Sequence, residues 1–187
     1  MPGNKKANSR PVISSFLKRI IRYELPLLTA GILIYGVLFY AIDHHFYGPI
    51  LSNFVLLFAF FKIIYILIYT FKRLTAHLRE CCSFYDLVAV YGIVIGLIVF
   101  SFAADYYCLQ NCLSGAFSGI EANNGQPGQA FDFIYFSVVT FATIGFGDIT
   151  PVLMKAKLLV VLEIATSFIM IFFVISNFDK IHQPKEG

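Results

Sequence analysis

Residues 131–151 read FDFIYFSVVTFATIGFGDITP. The apolar part, Phe131 to Thr143, would reach only ~20 Å as a helix, too short to cross a bilayer core of about 30 Å. Gly145, Gly147 and Asp148 follow at once, and Thr150 and Pro151 interrupt the chain before the next long apolar run. The segment is therefore expected to dip into a membrane and return to the side it came from. Irregular backbone at that depth is tolerated only where protein buries it or where it lines a watery path. A half-length helix with this continuation implies a conduit.

The rest of the chain supplies the membrane. Its 187 residues are 58% hydrophobic and 13% charged, whereas soluble domains carry about 25% charge. With 21 Phe and 11 Tyr it holds too much apolar mass for an unfolded chain. Four runs are long enough to span. Leu25–Ile42 and Leu87–Ala104 contain no Lys, Arg, Asp or Glu, while Ile50–Phe71 contains Lys62 and Leu158–Phe178 contains Glu163. The first run exceeds a signal-peptide core and lacks a small-residue cleavage site, so it is read as a helix. The fold class is an all-α membrane protein: four transmembrane helices, with a re-entrant helix and loop between the third and fourth.

Eleven Lys and Arg residues fall on one side of these spans and two, Lys155 and Lys157, on the other. That bias puts both termini in the cytoplasm. Val12, Ile13, Phe16, Leu17, Ile20 and Ile21 recur at helical spacing opposite Lys18, Arg19 and Arg22. This pattern suits a helix lying on the inner leaflet, with a plain extension of the first span as the alternative. The chain thus divides into a cytoplasmic N-terminus with that helix (1–24), an accessory two-helix hairpin (25–71), a cytoplasmic loop (72–86), a pore domain (87–178) and a cytoplasmic tail (179–187). The expected location is the plasma membrane.

The residue types at 143–148 indicate what passes. A dehydrated cation needs oxygen ligands in place of its water, and consecutive backbone carbonyls serve if they point the same way. Strands alternate their carbonyls, so residues that adopt positive φ cheaply are required, and Gly145 and Gly147 meet that need. Thr143 adds a hydroxyl oxygen at the inner end. Ile144 and Phe146 would turn outward, and Asp148 would place a carboxylate at the outer mouth beside Asp43, Asp105, Glu121 and Asp132.

Ser137 to Asp148, SVVTFATIGFGD, resembles the pore helix and selectivity filter of potassium channels. Its Thr143–Asp148 portion is similar to that of two-pore-domain and bacterial two-helix potassium channels, and the resemblance covers the third span through the fourth. It implies potassium sites at Thr143, Ile144, Gly145 and Phe146, completed outward by Gly147 and Asp148. It implies filter support from Thr140 and from Tyr135, which stands where relatives carry tryptophan and would brace Asp148. It also implies a cavity lined by Phe168, Ile171, Ile175 and Asp179. Ser167 departs from the family, which usually places a hinge glycine there. One such segment cannot encircle an ion, so a homotetramer in the lipid bilayer is expected, with potassium ions as the permeant species.

Other residues have competing readings. Lys62 would snorkel or serve helix packing; pairing with Glu163 is disfavoured because their depths differ. Glu163 would either hydrogen-bond behind the filter or sit as a protonated core acid. Cys108 and Cys112 lie on the oxidising side and could pair with each other or across subunits. No span repeats Arg or Lys every third position, so gating charges are not expected. Neither an enzyme's nucleophile–base arrangement, nor a cofactor loop, nor a nucleic-acid signature is present in the sequence. The alternatives are a non-conducting regulatory channel subunit and a secondary transporter, the latter disfavoured because no second interrupted span appears.

Overall fold

The structure, a computed structural model, describes residues 48–78, 84–120 and 125–178. The interfacial helix of 12–23, the first span and Asp179 lie outside the described residues. The described chain is mostly helical. Helix α1 spans Gly48–Leu78, α2 Phe84–Cys112, α3 Gly125–Phe141 and α4 Met154–Phe178. Two short strands, β1 (Phe117–Ser118) and β2 (Thr150–Pro151), pair antiparallel. Segments of α1, α2 and α4 are long and apolar enough to cross a membrane: Ile50–Ile68, Tyr91–Cys112 and Met154–Ser176.

Each helix buries one stripe and leaves its other face apolar, as helices bathed in lipid do. On α1 the buried stripe is Leu51, Val55, Ala59, Ile63 and Ile66, at steps of three and four, while Phe54, Leu57, Phe61 and Ile68 face outward. Helix α2 is the hub, packing on α1, α3 and α4. Its Ile98, Phe102, Tyr106 and Leu109 are fully buried. Around Tyr106 gather Phe117, Phe133 and Phe136, with ring centroids 5.3, 6.4 and 5.2 Å away. The pairs with Phe117 and Phe136 are edge-on, a geometry that adds about 0.5–1.5 kcal/mol per pair beyond burial.

Two helices run past the ends of their apolar stretches. Helix α1 continues through Lys72 and Arg73 to Leu78, because nothing there breaks a helix and a charged end can leave the lipid. Helix α2 continues past Ala104 to Cys112. Asp105 therefore does not belong to an outer acidic surface. It is fully buried, with both carboxylate oxygens 2.7 Å from Lys62. A paired charge need not end a span, which is why its sequence position misleads. Lys62 is likewise neither snorkelling nor paired with Glu163: its ammonium ties α1 to α2, reaching the Ser101 carbonyl as well, at 3.3 Å.

The strands fasten the chain leaving α2 to the chain entering α4, with Phe117 opposite Pro151 and Ser118 opposite Thr150. The Val152 amide extends the clasp by donating to the Ala116 carbonyl at 2.9 Å. Between α3 and this clasp lies an irregular segment, 142–149.

Candidate functional site

Helix α3 ends because the chain behind it turns left-handed. Thr143, Gly145 and Gly147 have φ of +56°, +58° and +81°. The intervening Ile144 and Phe146 are not among the residues of positive φ. Positive φ at every second residue departs from the strand geometry, in which successive carbonyls face opposite ways. The sequence indicated the freedom of the glycines but not the conformation of Thr143. A β-branched residue at positive φ is an outlier costing on the order of 1–3 kcal/mol, a strain that persists only when its surroundings enforce it.

The surroundings are the last turn of α3. The Thr143 amide donates to the Thr140 carbonyl at 2.9 Å, the Ile144 amide to the Val139 carbonyl at 2.9 Å, and the Gly145 amide to that same carbonyl at 3.4 Å. The amides are thus drawn back into the protein. Among the described residues no backbone N–H outside the regular elements donates to the carbonyls of Thr143, Ile144, Gly145 or Phe146. Backbone polar groups shut away from water require a partner. Residues 142–148 are all exposed on the single chain, Ile144 by 56% and Phe146 by 66%.

Tyr135 stands beside the segment. Its ring stacks parallel on Phe146, centroids 6.5 Å apart, and its hydroxyl hydrogen-bonds to the Asp148 carboxylate. That bond holds the Asp148 carboxyl below its ordinary value, helped by the backbone amides of Ile149 and Asp148 itself, against a smaller upward push from desolvation. Thr140 is buried, and its carbonyl is the part that reaches the segment.

A second layer lies behind α3. Glu163, fully buried on α4, takes the Tyr106 hydroxyl of α2 on one oxygen and the Ser137 hydroxyl of α3 on the other, both at 2.5 Å. Ser137 also lies 2.9 Å from the Val99 carbonyl. Ser167 donates to the Phe141 carbonyl at 2.6 Å, tying α4 to the end of α3. The position without a hinge glycine therefore carries an anchor. Of the residues expected along a cavity, Phe168, Ile171 and Ile175 share the outward face of α4, 49%, 45% and 62% exposed. Tyr106 and Ser137 were not identified from sequence, since only the folded chain brings them to Glu163. Cys108 and Cys112 are free thiols here, on one helix.

Among the described residues, then, a segment whose carbonyls meet no backbone amide outside the regular elements is held by a short helix among helices of membrane length. Residues 87–183, about half of the chain, match the ion channel family, and the chain belongs to it. Two curated relatives each match about half of the chain. Two-pore potassium channel 4 of Arabidopsis thaliana is 28% identical over 90 residues, 48% of this chain and 29% of that protein. Potassium channel K1 of Plasmodium berghei is 37% identical over 87 residues, 46% of this chain and 4% of that protein. The chain thus corresponds to under a third of either relative's length. No solved structure matches significantly.

Proposed function

We propose that four copies of this chain form a potassium-selective pore that lets potassium run passively down its gradient. The observation that carries this reading is the alternation at Thr143, Gly145 and Gly147, which frees four successive carbonyls while the amides of the first three of these residues are tied back to α3. Carbonyl oxygens so aligned replace the hydration shell of a potassium ion. In this reading α3 is the re-entrant pore helix, 143–148 is the filter and α4 is the inner helix. The first span completes a four-span subunit, with both termini in the cytoplasm of a cell bounded by this plasma membrane.

One chain offers oxygens to one side of an ion only, so closed cyclic symmetry must supply the others. The exposed Ile144 and Phe146 and the outward face of α4 support this, since an assembly buries apolar area that a lone subunit leaves open. The names of the two potassium channels, each matched over about half of the chain, point the same way. Rubidium uptake into vesicles bearing the purified protein tests the proposal. Uptake that outpaces sodium supports it. Absence of uptake under every condition would turn the reading toward a regulatory subunit, and saturating uptake that needs a second ion would turn it toward a transporter.

A further inference from the structure

We propose that Gly119, outside the filter and far from it in sequence, is a positioning residue that fixes the outer end of the filter by pressing its bare Cα against the Asp148–Ile149 peptide. This rests on the filter reading of residues 143–148. Gly119 has φ +85°, and a Cβ built there would fall 1.8 Å from the Asp148 carbonyl oxygen, 2.9 Å from its carbon and 3.2 Å from the Ile149 Cα. All three obstacles are backbone, so no side chain can swing aside. Either residue 119 stays bare or the peptide moves.

The peptide has little room to move alone. On one side the Asp148 carboxylate is held by the Tyr135 hydroxyl from α3. On the other, Ile149 is buried and Thr150 is paired with Ser118, their hydroxyl oxygens 2.6 Å apart. Asp148 is thus gripped by its side chain from the pore helix and by its main chain from the strap that follows α2 and carries β1, residues 113–120. A displacement of its carbonyl is handed directly to Gly147, the last residue of positive φ in the filter. Gly119 therefore sets the width and order of the exit without touching an ion.

Gly115 supplies an internal control. It lies on the same strap with φ +79°, yet a Cβ there meets nothing within 4 Å. Alanine at 115 imposes the backbone strain of a left-handed residue; alanine at 119 imposes that strain plus the collision. Reversal potentials of the full chain in planar bilayers, under potassium opposite sodium, separate the two. The expected result for Gly119→Ala is a fall of about tenfold or more in the potassium-over-sodium permeability ratio, the scale of ångström-level misplacement. Gly115→Ala should keep the wild-type ratio. Equal ratios in wild type and Gly119→Ala, or equal losses in both variants, would overturn the proposal. If the wild type itself fails to select potassium, the filter reading falls and this inference with it. If Gly119→Ala does not assemble, Thr150→Val decides, because it removes only an exposed hydroxyl contact. A lowered ratio in that variant upholds the strap's role, and a wild-type ratio overturns it.

Discussion

Both carboxylate oxygens of Asp105 lie 2.7 Å from the Lys62 ammonium, joining α1 to α2 among fully buried neighbours. Such a pair is expensive to desolvate, and its value shows mainly when one member is lost. Lys62→Met should destabilise the protein by about 3–5 kcal/mol, and Asp105→Leu by a similar amount. The double variant should recover most of that loss, since an apolar pair leaves no orphaned charge. Thermal unfolding in lipid nanodiscs reads the difference; a double variant as weak as either single one would contradict the pairing.

Tyr106 and Glu163 make a parallel case nearer the filter. Tyr106→Phe removes the hydroxyl from one carboxylate oxygen of Glu163 and should cost about 1–3 kcal/mol by leaving a buried acceptor unmet. Glu163→Gln keeps an acceptor for one hydroxyl and should be milder than Glu163→Ala, which empties the site behind Ser137. Unfolding midpoints of the three variants check that order.

The glycines of the proposed filter carry a sharper demand. An L side chain in the left-handed region costs about 1–2 kcal/mol, so Gly145→Ala or Gly147→Ala should reduce potassium selectivity about tenfold or abolish current. Reversal potentials equal to wild type in both would refute the assignment. Thr143 already bears such strain, at φ +56°. Thr143→Gly should therefore relieve backbone strain yet lose the hydroxyl, separating folding stability from selectivity in one variant.

Asp148 makes a statement about acid. The Tyr135 hydroxyl bond, first among the causes, lowers its carboxyl below the ordinary 3.8. Because the folded value is the lower one, the stabilisation is whole above 3.8 and vanishes only as pH falls through the depressed folded value. Currents should thus be insensitive to this carboxyl as the outer solution goes from neutral to pH ~5. Tyr135→Phe should move the acid midpoint upward toward 3.8, which a titration of the outer bath would detect.

What the sequence disclosed was whatever repeats locally. Apolar run length marks the three helices of membrane length among the described residues, and the half-length run before Gly145 and Gly147 marks the segment between α2 and α4. Helix ends are less legible: the apolar run closes at Ala104, whereas α2 carries Asp105 inward and continues to Cys112. The pairing of Lys62 with Asp105 joins residues 43 apart, and that of Tyr106 with Glu163 joins residues 57 apart. No periodicity encodes such distances. Thr143 looked like a hydroxyl donor and also proved to hold a strained backbone, which its residue type argues against. Nothing local to Gly119 points to Asp148; the pairing of β1 with β2 brings the two together.

The most direct test is a planar-bilayer recording of the purified chain with potassium on one side and sodium on the other. The account predicts unitary currents whose reversal potential lies close to that of potassium. Currents that reverse near zero, with sodium carried as readily as potassium, would contradict it.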